Sequence, residues 1–389
     1  MMQSLRRKSA VQSWSQFKLT LLLTVLVAIQ TSCATHSACD LDAIYKITAT
    51  ECANKPCPPG NPQQGPGSGK STHQGADVFE LKEGMFDSYR SVVYTPASPS
   101  PKTAPVILFL HGYFDSTPEK YDAMLKHYAR KGFIVIYPSY GSPIGPKDWA
   151  KNAEEAWKRA IAFLNKDGHV KPDLTRVAYI GHSIGGLLSL HLAEKQSSSN
   201  LPAIPVPKLI ISMEAAGTPS IAYPYIAIDD LSKIPRETKL VLIMAEETYR
   251  HREEEKDRCE NKNPEPSKTC DGFITSRNIY QKTTQIPAEQ KTAILIPSDI
   301  RGQSGLRSEH NGVQGECDSA GKPLDAIDTW GYWKYTVEAL DQSLLSDSKD
   351  LPFLRSDRLR SNGSWSDGKP AKQAQSLDSC FARNTCPPN

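Results

Sequence analysis

The chain contains 389 residues, of which 39% are hydrophobic and 23% are charged, and its 46 Lys and Arg against 43 Asp and Glu give a formal net charge of +3. This length accommodates one large α/β domain with additional arms and does not demand two domains. Because residues of both signs are mixed along the chain rather than collected in blocks, the composition argues against a nucleic-acid-binding surface.

Residues 1–33 have the pattern of a secretory signal peptide. Basic residues at 6–8 and at 18 precede the apolar run 19–29, LTLLLTVLVAI, and the small residues of QTSCA follow it. A basic, then apolar, then small-residue order is that of an export signal. The apolar run is also shorter than the roughly 20 residues that a membrane-spanning helix needs. We therefore expect an exported protein.

Cys33 offers an alternative end for this signal. It stands where a bacterial lipoprotein carries its lipidated cysteine, and the small Ser32 precedes it, although Gln30 replaces the usual aliphatic residue. Cleavage after Ala34 is the other reading. The predicted location is accordingly the periplasm, the outer membrane through a lipid anchor on Cys33, or the extracellular space.

The cysteines fit an oxidising compartment. The chain has nine, and setting Cys33 aside leaves an even number, as disulfide bonding favours. Neighbours in sequence suggest local pairs, although spacing does not fix the connectivity: Cys52–Cys57, Cys259–Cys270 and Cys380–Cys386. A zinc site is disfavoured because no CxxC or CxxH spacing occurs.

Two arms flank the predicted domain, which spans 77–350. The N-terminal arm, 34–76, is rich in Cys, Pro and Gly, and the polar C-terminal arm covers 351–389. The N-terminal arm contains GPGSGKST, which resembles a phosphate-binding loop. That motif needs four residues between its glycines, whereas only three separate Gly65 from Gly69, so the phosphate-binding reading is rejected.

Between the arms, apolar runs alternate with helical patterns. The strand candidates are continuous aliphatic runs that do not alternate with polar residues, as in strands buried on both faces. In chain order the predicted strands are RSVVYTP, APVILFLHG, FIVIYPSYG, RVAYIG, PKLIISMEAAG, TKLVLIMAEE and KTAILIPSD. Helical spacing is found in PEKYDAMLKHYARKG, DWAKNAEEAWKRAIAFLNKDG and SIGGLLSLHLAEK. This order predicts an α/β fold with a mostly parallel sheet covered by helices on both faces.

Ser183 is the candidate nucleophile. The stretch 177–186, VAYIGHSIGG, contains G-x-S-x-G between a predicted strand and a predicted helix, which is the context that this motif requires. The flanking glycines suit a strained turn, and the helix N-terminus favours developing negative charge. The preceding strand-and-loop FLHGYFDS supplies the second half of an oxyanion hole, formed by the backbone N–H groups of Tyr113 and Ile184. We expect His111 to brace that turn.

The general base and the acid should follow the serine along the chain. His310 lies in the loop after the last predicted strand and is the candidate base. Glu247 is the preferred acid, because it follows the strand KLVLIMA, from which the acid is expected to come. Glu246 beside it is an alternative, and Glu214, at the end of the preceding strand, is the runner-up position.

These motifs resemble the α/β-hydrolase superfamily and, within it, secreted esterases of the cutinase-like, polyester-hydrolase-like, dienelactone-hydrolase-like and chlorophyllase-like kinds. The resemblance spans roughly 90–345, including the closing helix DTWGYWKYTVEALD. It implies an eight-stranded sheet, a serine acyl-enzyme mechanism, and no cofactor or metal.

The sequence thus predicts an exported, monomeric serine hydrolase that cleaves carboxylic esters, with small-molecule or polymeric substrates and no nucleic-acid partner. Too few residues separate the strands of SMEAAG and KLVLIMA for a separate lid domain, which favours an open site. Two alternatives remain: a peptidase or amidase on the same fold, and a noncatalytic binding protein that has kept the fold.

Overall fold

The structure is a computed structural model. It describes residues 55–84, 87–113, 115–141, 148–197, 203–216, 230–250, 272–302, 305–315, 324–346, 348–351 and 353–386. The predicted signal peptide and Cys33 lie outside these ranges, as do Cys52 and the predicted pair Cys259–Cys270. No helix within the described ranges is long and apolar enough to cross a membrane.

One sheet runs through the described chain. Its nine strands are β1 (Gly75–Leu81), β2 (Ser91–Ala97), β3 (Thr103–Leu110), β4 (Ile134–Pro138), β5 (Lys171–His182), β6 (Leu209–Met213), β7 (Lys239–Ala245), β8 (Lys291–Ile296) and β9 (Gln375–Ser376). Their order across the sheet is β1-β2-β4-β3-β5-β6-β7-β8-β9. The pairs β1/β2, β2/β4 and β8/β9 are antiparallel and the other pairs are parallel. This topology is that of the α/β-hydrolase fold and confirms the predicted fold class.

The central strands are buried throughout, as their aliphatic runs predict. Every residue of β4, β6, β7 and β8 is buried. Strands with helices on both faces have no solvent side, so they carry no polar alternation. The outermost strands differ. In β1 most residues are only partly buried, and β9 consists of two exposed residues. The described sheet therefore has nine strands, one more than the resemblance implied.

Helices cover both faces of this sheet. They are α1 (Asp122–Arg130), α2 (Trp149–Leu164), α3 (Ile184–Ser197), α4 (Glu246–Arg250), α5 (Phe273–Lys282), α6 (Trp333–Leu340), α7 (Asp357–Arg360) and α8 (Asp378–Arg383). The Asp148 side chain caps α2 by accepting from the backbone N–H of Lys151 at 3.0 Å. Gly132, with φ +104°, follows α1 in the left-handed conformation that terminates many helices. π-helical turns, Ile327–Tyr332 and Asp341–Leu345, flank α6.

The core lies in two layers, one on each side of the sheet. Alternate residues of β3 divide between them: Val106 and Leu108 join the layer that contains α2, α3 and α5. Ile107 and Phe109 join the layer that contains α1 and α6. Side chains of a strand point alternately to opposite faces, so one aliphatic run serves both layers.

The two arms pack against each other and against the domain. The backbone N–H of Cys57 donates to Ser366 Oγ at 2.9 Å, and the N–H of Ser366 returns a bond to the Cys57 carbonyl at 3.1 Å. Trp365, in the polar C-terminal arm, is only 2% exposed, and its indole N–H donates to the Asp299 carboxylate at 2.9 Å. The predicted disulfide Cys380–Cys386 is present.

Candidate active site

Ser183 occupies a sharp turn between β5 and α3. Its φ of +56° is left-handed, a conformation that costs energy for any residue with a side chain. The neighbouring glycines permit this turn. A Cβ on Gly181 would lie 2.1 Å from the Gly185 carbonyl oxygen, and a Cβ on Gly185 would lie 2.1 Å from the Leu110 carbonyl oxygen. The G-x-S-x-G spacing is therefore required by backbone contacts at both glycines.

His310 meets Ser183 from a loop after β8. It begins a short 3₁₀ turn, His310–Val313, and its Nε2 lies 3.0 Å from Ser183 Oγ. This is hydrogen-bond distance, at which an imidazole nitrogen can accept the hydroxyl proton of serine. The side chain of His310 is 23% exposed, so solvent reaches one side of the pair.

The carboxylate beside the imidazole belongs to Glu214, at the end of β6. Its Oε2 lies 3.6 Å from His310 Nδ1, and the side chain has no exposed surface. Its Oε1 accepts a hydrogen bond from the backbone N–H of Ala245. Gly272, with φ +57°, approaches so closely that a Cβ there would lie 2.8 Å from Glu214 Oε2. The carboxylate is thus enclosed by three segments of chain.

Glu247, the acid preferred from the sequence, contacts the backbone of His310. Its carboxylate accepts from the backbone N–H of His310 at 3.3 Å rather than facing the ring. Glu246 Oε2 accepts from the backbone N–H of Ser298 at 2.6 Å, and its Oε1 pairs with Arg250. Both glutamates hold the loop that carries His310.

Strand register explains why Glu214 reaches the site. Met213 on β6 pairs with His182 on β5, so the next residues along these parallel strands, Glu214 and Ser183, leave the sheet side by side. The sequence indicates that Glu214 and Ser183 lie near each other, because both residues directly follow buried strands. The sequence did not show whether the carboxylate near the imidazole follows β6 or β7, because that depends on the register between the strands.

The predicted oxyanion-hole segments are neighbours. β3 pairs in parallel with β5, with Leu110 opposite Gly181, so the loop after β3 lies against the first turn of α3. Ile184 is the first residue of α3, and the Tyr113 ring is 42% exposed, 5.9 Å from the ring of Trp149. The roles of the Tyr113 and Ile184 N–H groups stay a prediction.

His111 is buried in the turn that precedes Tyr113. Its ring stacks on Tyr140 at 4.1 Å, and its Nδ1 lies 2.7 Å from the Gly112 carbonyl oxygen. Burial lowers the pKa of His111 to about 4, so the ring is neutral near pH 7 and braces the turn by hydrogen bonding.

The described residues contain no group of three or more His, Cys, Asp or Glu side chains that could hold a metal ion. The site is instead built from a serine on a strained elbow, an imidazole at hydrogen-bond distance and a buried carboxylate behind it.

The fold and this geometry place the protein in the class of α/β-hydrolase-fold proteins. The family model of chlorophyllase matches residues 80–211. The matched region includes Ser183 and the loop after β3, and it ends before Glu214 and His310. Chlorophyllase belongs to the α/β-hydrolase superfamily, in agreement with the observed fold. No curated protein matches the chain.

Proposed function

We propose that the chain is a serine hydrolase that cleaves carboxylic esters, with Ser183 as nucleophile, His310 as general base and Glu214 as the acid. The observation that carries this proposal is the 3.0 Å contact between His310 Nε2 and Ser183 Oγ. The left-handed φ of Ser183 supports it, because a non-glycine residue holds such a conformation only where the surrounding structure enforces it.

Acylation begins when Ser183 Oγ attacks the ester carbonyl carbon and His310 Nε2 takes the hydroxyl proton. The carbonyl oxygen becomes an oxyanion, which the N–H groups of Tyr113 and Ile184 bind. The imidazolium faces the carboxylate of Glu214 at 3.6 Å. Collapse of the tetrahedral intermediate breaks the ester C–O bond, and His310 gives its proton to the leaving alcohol.

Deacylation repeats these steps with water. His310 removes a proton from a water molecule, the resulting hydroxide attacks the acyl carbonyl, and the proton returns to Ser183 Oγ as the carboxylic acid leaves. Each proton that leaves a nucleophile is thus given to the following leaving group, so one histidine serves both halves of the cycle.

An exposed aromatic side chain on the loop after β3 supports an ester substrate with an apolar group. The partly exposed Tyr113 ring stands beside Trp149, which offers an aromatic wall for an acyl or alcohol group. The match to chlorophyllase supports an ester in preference to an amide. Short-chain, aromatic and polymeric esters are the proposed substrates.

We also propose that the protein is exported, as the residues at 1–33 predict. The disulfide Cys380–Cys386 and the disulfide-bonded state of Cys57 support this, because disulfides persist mainly in oxidising compartments. A fatty-acid label on Cys33 would distinguish a lipid-anchored form from a freely exported one.

Labelling with a fluorophosphonate tests the nucleophile. We expect the wild type to hydrolyse p-nitrophenyl acetate and to be labelled at Ser183, and Ser183→Ala to lose both properties. Ser189→Ala is the matched control, because this serine is buried on α3 and donates to the Gly186 carbonyl at 2.7 Å. A wild type that shows neither hydrolysis nor labelling would overturn the proposal, and faster cleavage of a matched amide than of the ester would favour the amidase alternative.

A further inference from the structure

A buried tyrosine hydroxyl lies where the segments around the site converge. Tyr121 stands at the N-terminal boundary of α1 and is 0% exposed. Its hydroxyl oxygen lies 2.7 Å from His182 Nδ1, 3.1 Å from Asp115 Oδ2, 3.1 Å from the backbone nitrogen of Gly112 and 3.2 Å from Gln314 Nε2. These four partners come from the loop after β3, the end of β5 and the loop that carries His310.

The hydrogen-bonding capacity of these groups fixes the direction of the network. His182 Nε2 lies 2.9 Å from the carbonyl oxygen of His310, which can only accept, so Nε2 carries a proton. Burial lowers the pKa of His182 well below its usual range, so the ring is neutral and Nδ1 is bare. Nδ1 and Asp115 Oδ2 are therefore the two acceptors within reach of the single Tyr121 proton, and the hydroxyl accepts from Gly112 and Gln314.

The network thereby joins both halves of the site. Gly112 precedes Tyr113 in the oxyanion loop, and His182 precedes Ser183. The bond from His182 to the His310 carbonyl holds the backbone of the residue whose ring contacts Ser183 Oγ. Asp115 and Gln314 complete the arrangement, since Gln314 Nε2 also donates to Asp115 Oδ2 at 2.7 Å.

We infer that Tyr121 is a positioning residue for the reaction: through its hydroxyl it holds the oxyanion loop and the backbone of His310 in place relative to Ser183. This inference rests on the proposed function. Tyr121 touches none of the reacting atoms and acts through Gly112 and His182.

Tyr121→Phe tests the inference because it removes only the hydroxyl. Tyr128→Phe is the matched control. Tyr128 lies on α1, is equally buried, and donates its hydroxyl to Thr336 Oγ1 at 2.9 Å, away from the site. We expect Tyr121→Phe to lower kcat for p-nitrophenyl acetate roughly 10- to 100-fold with KM changed less than about 2-fold, because misplaced catalytic groups slow chemistry more than binding. We expect Tyr128→Phe to keep the wild-type kcat.

A nitrogen-15 NMR measurement of the histidine rings supplies a readout that a merely structural tyrosine would leave unchanged. In the wild type and in Tyr128→Phe, His182 should show a protonated Nε2 and a bare Nδ1. In Tyr121→Phe the Nδ1 signal of His182 should shift because this nitrogen loses its hydrogen bond, and the ring signals of His310 should shift as well. Equal kcat values and unchanged histidine signals in the two variants would overturn the inference.

If Tyr121→Phe does not fold, Gln314→Met takes its place. Gln314 is partly buried, and methionine keeps its length while removing the donors to Tyr121 and Asp115. We expect about a 3- to 10-fold fall in kcat at unchanged KM, and an unchanged kcat would contradict the inference. The two proposals fail differently. An inactive, unlabelled wild type overturns the proposed function, whereas an active wild type with an equally active Tyr121→Phe overturns only the role of Tyr121.

Discussion

Among single residues, Glu214 is the fully buried carboxylate beside the imidazole of His310. A buried carboxylate is costly unless hydrogen-bond donors or a cation stand beside it. The N–H of Ala245 satisfies one oxygen, and the other lies 3.6 Å from His310 Nδ1. In the proposed mechanism His310 gains a proton during acylation, and its positive charge then faces this carboxylate in a poorly solvated environment, where their attraction is stronger than in water.

Replacing each candidate acid with its amide separates their roles. We expect Glu214→Gln to lower kcat roughly 10³-fold, because a neutral amide no longer stabilises the imidazolium of His310. Glu247→Gln keeps a carbonyl acceptor for the backbone N–H of His310 and should lower kcat less than about 5-fold. The measurement is steady-state hydrolysis of p-nitrophenyl acetate at equal enzyme concentration. The reverse ranking would return the acid role to Glu247.

At the scale of elements, the site follows from parallel pairing. β5, β6 and β8 run in the same direction, so the segments after them emerge at one edge of the sheet. Each is followed by one residue of the proposed triad, in the order Ser183, Glu214 and His310. The sequence pattern was sufficient to predict these strands, because continuous aliphatic runs bounded by turns identify buried strands. It missed β1 and β9, since a partly exposed outer strand and a two-residue strand lack such a run.

The π-helical turn Asp341–Leu345 carries a pH-dependent contribution to stability. Burial raises the pKa of Asp341 to about 6, and the charge of Lys131 opposes this rise. Between the ordinary carboxyl pKa of 3.8 and about 6, the folded protein retains a proton that the unfolded chain loses. The free energy of unfolding therefore falls as the pH rises through this window. At higher pH the folded protein carries the full energetic cost of the buried, ionised Asp341.

Asp341→Asn should remove that cost. We expect the variant to unfold with a free energy about 1 to 2 kcal/mol higher than that of the wild type near neutral pH. The difference should vanish at about pH 3 or below, where Asp341 is protonated in both the folded and the unfolded wild-type chain. Urea denaturation at the two pH values measures it. A difference of the same size at both values would contradict the assignment.

At the scale of the whole molecule, the C-terminal arm is part of the support for His310. Asp299 lies in the loop between β8 and His310, and its Oδ2 accepts from the Trp365 indole at 2.9 Å and from the backbone N–H of Lys372 at 3.1 Å. The same arm adds β9 to the edge of the sheet, and Ser366 bonds to the N-terminal arm at Cys57. The histidine loop is thus attached to the C-terminal arm, which in turn is attached to the N-terminal arm.

Trp365→Phe should destabilise the protein by roughly 2 to 4 kcal/mol, because it removes a donor from a buried carboxylate and leaves a space where the indole packed. Trp330→Phe is the control. This tryptophan is only partly buried, and its indole donates to the Gly60 carbonyl at 2.7 Å. Loss of this hydrogen bond should lower the free energy of unfolding by less than about 1 kcal/mol. Thermal unfolding of both variants gives the comparison, and equal losses would contradict a special role for Trp365.

The sequence by itself determined what depends on neighbouring residues. Ser183 could be predicted as the nucleophile because its turn is made by residues 181–185, and the main strands could be predicted because burial on both faces imposes an aliphatic run on each. His310 could be predicted as the base from chain order. The tertiary structure alone decided which glutamate meets the imidazole, because that depends on the register of β5 against β6 and on the path of the histidine loop. It also decided the burial of Trp365, whose partner Asp299 is 66 residues away in sequence, because such a contact forms only when the folded chain brings distant segments together.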